Sequence, residues 1–203
     1  MTDNFALLGE PRRPWLEADP LKEKFLALSA VAHPDRIHSL SIEERTKAAR
    51  RYAELNAAYA CLRDPRERLR HWLELELGGK PPDVQEIPPD LAAWFTNVAA
   101  LLRQTDLFVA ECLRVSSPLL RVQCFERQQE WTERLTAARR ELERRGEVLL
   151  QKLRDLDRDL AVRDARKDRV GLIAGLVEIH RLLSFVGKWT AQIQERLVRL
   201  ATS

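Results

Sequence analysis

Apolar residues recur at three- and four-residue steps along almost the whole chain and alternation at every second position is nearly absent, a pattern that predicts helices throughout. A short first helix is expected from Asn4 to Leu8. A second begins near Asp19, whose carboxylate can cap free backbone amides while Pro20 takes the first helical position, and carries Leu21, Phe25, Leu28 and Ala32 on one face. Ser41 followed by Glu44 reads as a capping box that opens a third helix, reaching about Arg63 and turning Tyr52, Leu55, Tyr59 and Leu62 toward the second. A fourth, from Pro65 to about Leu77, carries Leu69, Trp72, Leu73 and Leu77. Two glycines and then prolines at 81, 82, 88 and 89 mark a helix stop, a short linker and a new start.

Beyond the linker, Leu91, Trp94, Phe95, Val98, Leu101 and Leu102 form a broad apolar helix face. After the polar break at Val115-Ser116-Ser117-Pro118, a long stripe runs through Trp131, Leu135, Ala138, Leu142, Leu149, Leu153, Leu156 and Leu160. The stripe slips at Gly146, and Arg144 and Arg145 would suit a helix end there. It resumes from Glu147 without a polar cap or proline, so one continuous helix is the expectation. A turn around Arg163 to Asp168 leads to a last helix with Leu172, Leu176, Ile179, Leu183, Val186, Ile193, Leu197 and Leu200. Three helices joined by short polar turns fold up-down-up into an antiparallel bundle. The expected fold class is all-α: a helical hairpin domain at 1–80, a proline-rich linker at 81–88, and a three-helix bundle at 89–203.

The 203 residues carry a net charge of only +3, with arginines and acids interleaved along the helices, and no basic tract points to nucleic acid. No apolar stretch is expected to reach the roughly eighteen residues of a membrane span, and Met1-Thr2-Asp3-Asn4 lacks the basic and apolar regions of a secretory signal. A soluble, cytoplasmic protein that uses no membrane is expected. Cys61, Cys112 and Cys124 are far apart in sequence and lack zinc-ligand spacing, so they read as reduced core residues. His38, His71 and His180 have no second ligand nearby in sequence. With no nucleophile–base pair, Gly-rich phosphate loop or metal cluster, neither an active site nor a cofactor is expected.

The chemistry-bearing feature is the tripeptide His33-Pro34-Asp35 between the second and third helices. Proline disfavours helix in the residue before it and fixes its own φ, so a helix reaching Ala32 should stop and present His33 and Asp35 on an exposed turn. Three further features stand at matching distances: Phe5-Ala6-Leu7-Leu8-Gly9, Leu55-Asn56-Ala57-Ala58-Tyr59 and Leu62-Arg63-Asp64-Pro65. Together these resemble a J domain, with Ala32 standing where many relatives have an aromatic residue. The resemblance implies that His33, Pro34 and Asp35, with Lys22, Lys24 and Arg36 as a flanking basic face, dock on a DnaK/HscA-type chaperone ATPase and stimulate its hydrolysis of ATP.

The run from Pro65 through Trp72 and Leu73 to Gly78 is similar to the segment that closes the J domain of HscB-type co-chaperones, in which a compact three-helix domain follows. Leu182-Leu183-Ser184-Phe185-Val186-Gly187-Lys188 resembles a stretch of that family's final helix. The family's bundle binds the scaffold protein on which iron–sulfur clusters are assembled. The resemblance therefore implies client contacts at Trp94, Phe95 and Val98 on the first bundle helix and at Phe185 on the last, although Thr96 and Asn97 stand where acid and amide are expected. Helical aromatics are equally bundle core, and both readings stay open for these four. The implied function is a co-chaperone that delivers the scaffold protein for iron–sulfur cluster assembly. The alternative is a J-domain co-chaperone serving another client in general protein folding.

Overall fold

A computed structural model describes residues 2–32, 41–81, 89–162 and 169–202, and every regular element among them is an α-helix. In chain order these are α1 (Asn4–Leu8), α2 (Ala18–Ala32), α3 (Ile42–Arg63), α4 (Pro65–Leu77), α5 (Pro89–Cys112), α6 (Pro118–Val162) and α7 (Arg169–Ala201). Their contacts group into two compact units, one of residues 1–82 with 150–180, the other of 83–149 with 181–203. The sequence partition at 1–80 and 89–203 differs from this grouping over 150–180, the stretch in which the long helices α6 and α7 join the first unit. Of the expected linker, residues 82–88 lie outside the described residues.

In the first unit, Asp3 caps α1 by accepting from the amides of Phe5 and Ala6, and Phe5 and Leu8 are fully buried. Helix α1 packs on α2 and α3, which form a hairpin. Helix α2 starts at Ala18, so Asp19 lies in its first turn and is not its cap as the sequence reading had it. Leu21 is buried and the ring of Phe25 stacks on Tyr59 of α3 at 4.1 Å, nearly parallel. Leu28, expected on that face, is 36% exposed, and Ser29 is buried in its stead. The reason is phase: Leu21, Phe25 and Ser29 follow strict four-residue steps along the contact line with α3, and Leu28 falls to its margin. Ser41 and Glu44 form the capping box that starts α3, with Glu44 N donating to Ser41 Oγ at 3.3 Å and Ser41 N donating to Glu44 Oε2 at 3.0 Å. Leu55, Ala58 and Leu62 are buried beneath it.

Asp64 ends α3 and begins α4, accepting from the amides of Arg66 and Glu67 with Pro65 at the first helical position. Helix α4 closes at Gly78, whose φ of 68° is a conformation that favours glycine. Arg68 is 3% exposed, and its guanidinium donates to Pro14 O at 2.9 Å and Leu62 O at 2.7 Å. His71 is also buried: its Nε2 accepts from Asn4 N at 3.1 Å while its ring stacks on Phe5. Burial pushes the pKa of His71 down, which suits a neutral ring that must accept.

The 150–180 stretch joins this unit through a buried carboxylate. Asp157 of α6, 2% exposed, accepts from Trp15 N at 3.2 Å and from the Arg13 guanidinium at 2.5 Å. The guanidinium carbons of Arg154 and Arg68 lie 4.4 and 5.5 Å from the Trp15 ring centre, and Arg169 of α7 pairs with Glu76 of α4.

In the second unit, α5 with the adjoining parts of α6 and α7 encloses a core of Val98, Leu102, Phe108, Val109, Leu135, Leu142, Ile193 and Leu200. Helix α6 passes Gly146 unbroken, in agreement with the resumed stripe. A Cβ there would meet Val186 Cγ1 of α7 at 3.6 Å, an ordinary van der Waals contact. Buried Thr105 satisfies its hydroxyl on Leu101 O. On the surface, Arg196 and Arg199 of α7 both pair with Asp106 of α5 at 3.0 Å.

Helix α7 contains an 18-residue window apolar and long enough, by composition, to cross a membrane, which corrects the expectation that no stretch reaches that length. Leu172, Leu176, Ile179 and Leu183 within it are buried in the packing of the protein.

Candidate functional site

The tripeptide His33-Pro34-Asp35 and Arg36 lie outside the described residues, as does His38. The described residues on either side are the hairpin arms: α2 up to Ala32, and α3 from its Ser41 cap. The Phe25–Tyr59 stack and buried Leu21 and Leu55 hold the arms together, so the intervening segment joins two anchored helices. Of the proposed basic face, Lys22 is exposed on α2. Lys24 is half-exposed and already engaged, its Nζ donating to Gly9 O at 3.1 Å and pairing with Glu10 at 2.9 Å. Lys24 thus ties α2 to the segment after α1, and its charge is partly answered within the chain.

The second cluster is aromatic and lies in the second unit. Phe95 and Val98 are each 3% exposed, so the core reading applies to both. Trp94 and Phe185 are half-buried and keep accessible surface. Phe95 joins Trp94 and Phe185 to one centre: its ring is 5.4 Å from Trp94, 5.8 Å from Phe185 and 5.7 Å from Trp189, on which it stacks. Trp189 was missed in the sequence although it lies four residues past Phe185 on the same helical face, a spacing that could have found it. Arg145 of α6 was missed for a better reason, since only the fold brings its guanidinium to 5.0 Å from the Trp94 ring centre. The exposed part of the cluster is therefore an aromatic pair flanked by a cation, with Thr96 and Asn97 exposed beside it on α5. Such a surface suits an apolar segment carrying an acidic neighbour.

The cysteines meet the expectation of reduced core residues only in part, Cys112 packing against the core of the second unit. All three are free and half-buried. Cys112 and Cys124, read as distant from each other, are brought together by the turn between α5 and α6. Among the described residues no group of three His, Cys, Asp or Glu side chains could hold a metal ion.

No protein-family profile matches the chain. Over 72 residues it is 40% identical to the co-chaperone protein HscB homologue of Bordetella petrii, a match covering 36% of this chain and 42% of that protein. Over 92 residues it is 32% identical to the HscB homologue of Mannheimia succiniciproducens, covering 45% and 53%. The matched sequence thus spans about half the length of these curated relatives or less. Among solved structures, chaperone HscB from Vibrio cholerae superposes with a TM-score of 0.54 over 96% of both chains at 21% identity. Human co-chaperone protein HscB does so with a TM-score of 0.51 over 97% of this chain and 81% of its own, at 16% identity. In sequence over part of its length this chain is similar to HscB co-chaperone homologues, and over nearly all of its length it shares the fold of the solved HscB structures.

Proposed function

We propose that this protein is a co-chaperone whose His33-Pro34-Asp35 turn stimulates the ATPase of a DnaK/HscA-type chaperone, and that its helical bundle delivers a client, the iron–sulfur scaffold protein. The observation that carries the reading is the hairpin: two helices pinned by the Phe25–Tyr59 stack flank the tripeptide, and a capping box starts the second helix within a few residues of Asp35. In this reading the chain has no reaction of its own. Asp35 supplies the charge that the partner ATPase reads, Lys22 and Arg36 steer the two surfaces together, and Lys24 acts mainly by holding α2 to Gly9 and Glu10. Trp94 and Phe185 contact the client, and Phe95 and Val98 support them from within the bundle. Hydrolysis then closes the chaperone on the delivered client.

A second reading keeps the ATPase stimulation and replaces the scaffold protein with another client of general folding. It is favoured by Thr96 and Asn97, which put neutral side chains beside the aromatic cluster where the resemblance leads one to expect an acid and an amide.

The test is single-turnover ATP hydrolysis by the organism's DnaK-type chaperones with the full chain, Asp35→Asn and a Trp94→Ala/Phe185→Ala double variant, each with and without scaffold protein. The first reading expects stimulation that needs Asp35, rises with scaffold, and loses only the scaffold-dependent part in the double variant. Stimulation that needs Asp35 but ignores scaffold selects the second reading, and no stimulation of any paralogue refutes both.

A further inference from the structure

At the end of α5 away from Trp94, a cavity of about 490 Å³ opens where α5, the following turn, α6 and the end of α7 meet. Its lining includes Phe108, Cys112, Arg121, Cys124, Phe125 and Leu200. Cys112 is the last residue of α5 and Cys124 lies in the second turn of α6, so the chain reverses between them. The reversal is held by Val115 N donating to Cys112 O at 3.1 Å and by Arg121 Nε donating to Val115 O. Both side chains line this one cavity, near enough for each sulfur to act on the other electrostatically. Both residues are half-buried and keep solvent access, Cys112 with one side against the core of the second unit.

The surroundings are those of a reactive pair. Arg121 lines the same cavity, and Arg127, one turn beyond Cys124, acts electrostatically on both sulfurs while pairing with Glu111 at 3.0 Å. Glu111 is the nearby acid that opposes them. Desolvation and the neighbouring sulfur push the Cys112 thiol up to about 12, so it stays protonated. That leaves Cys124 as the sulfur that attacks an electrophile. Cys61 differs: it lies in the other unit, its Sγ directed at Glu67 O, and burial raises its pKa.

We propose that Cys112 and Cys124 are a redox-active dithiol that a hydroperoxide converts to an intramolecular disulfide joining the end of α5 to α6. In the first step the Cys124 sulfur attacks one oxygen of hydrogen peroxide, the peroxide bond breaks, and the thiol proton leaves with the departing hydroxide as water, giving a sulfenic acid. In the second the Cys112 sulfur attacks the Cys124 sulfur, its own proton leaves with the sulfenic hydroxyl as a second water, and the S–S bond forms. The two thiols give up two electrons and the peroxide takes them. A resolving thiol lining the same cavity intercepts the sulfenic acid before further oxidation. The product closes the loop from 112 to 124, which restricts the unfolded chain and stiffens this end of the bundle.

The full-length, reduced protein is exposed to graded hydrogen peroxide and read by free-thiol alkylation and peptide mass spectrometry, beside Cys112→Ser and Cys124→Ser variants whose folding is checked by circular dichroism. The expected product is monomeric, lighter by two hydrogens, cross-linked between the Cys112 and Cys124 peptides, still alkylatable at Cys61, and restored by dithiothreitol. Cys112→Ser should accumulate a sulfenic acid at Cys124 that dimedone traps, and Cys124→Ser should leave Cys112 reduced. Independently of any oxidant, phenylarsine oxide should bridge the pair in the unsubstituted protein, exchanging its oxygen for two sulfurs with release of water, and bind neither single variant. Oxidation first at Cys61, a disulfide between two chains, equal oxidation of the two cysteines in the single variants, or no bridging by the arsenical would each overturn the proposal.

Discussion

Arg68 gives the sharpest quantitative test of how the first unit is held together. Its guanidinium is 3% exposed, donates to two backbone carbonyls, Pro14 O and Leu62 O, and lies 5.5 Å from the Trp15 ring centre. Burial pulls its pKa down to about 10, so the site disfavours the cation by about 3 kcal/mol relative to water, and the two carbonyl bonds must offset that cost. Arg68→Met removes both bonds but also removes the buried charge. Two acceptors left without donors cost about 1–3 kcal/mol each, and relief of desolvation returns about 3, for a net loss of about 1 kcal/mol. Arg68→Lys keeps the buried cation, reaches one carbonyl instead of two and loses the planar contact with Trp15, for a loss of about 2–3 kcal/mol. Arg68→Ala adds a cavity to the methionine case and should lose about 3 kcal/mol or more. Urea unfolding followed by tryptophan fluorescence, with unchanged dependence on denaturant, measures all three. The charge-conserving lysine should be less stable than methionine. A lysine variant as stable as the methionine variant, or more so, would refute the reasoning.

Three further expectations rest on single contacts. Asp157→Ala leaves Trp15 N without its acceptor and should cost about 2–3 kcal/mol, whereas Asp157→Asn keeps an acceptor and should cost about 1 kcal/mol; thermal melts and hydrogen exchange at the Trp15 amide check both. Gly146→Ala should stabilise by about 0.5–1 kcal/mol in the same melts, because it removes a helix-interior glycine while the new Cβ meets Val186 at an ordinary distance. His71 and His180 both have folded pKa values depressed by burial below the unfolded 6.5, so the folded state binds fewer protons than the unfolded one in that window. The stability they contribute is fully present above pH 6.5 and is lost as pH falls through the folded values. Midpoints measured from pH 7.5 to 5.5 should drop, and drop less in His71→Gln; a flat or rising profile would count against the buried neutral histidines.

What the sequence determined by itself is local. The Asn4–Leu8 helix, the Ser41–Glu44 capping box and Asp64-Pro65 at the α3–α4 junction were legible because caps and first-turn prolines act within a few residues of where they stand. The unbroken passage through Gly146 was legible from the stripe that resumes at Glu147, since packing across several turns outweighs the modest cost of one glycine. The hairpin around His33-Pro34-Asp35 was legible as two anchored arms, although the tripeptide itself lies outside the described residues. Tertiary structure decided everything that depends on which face meets which partner. It buried Ser29 and left Leu28 at the edge, because the contact line with α3 and not hydrophobicity alone sets the phase of α2. It sorted Trp94, Phe95, Val98 and Phe185 into two buried and two accessible residues and added Trp189 and Arg145 to them. It set Asp157 against Trp15, and Cys112 beside Cys124. Helical spacing limits which side chains share a face, but contacts between faces far apart in sequence arise only when the helices pack, so no periodicity encodes them.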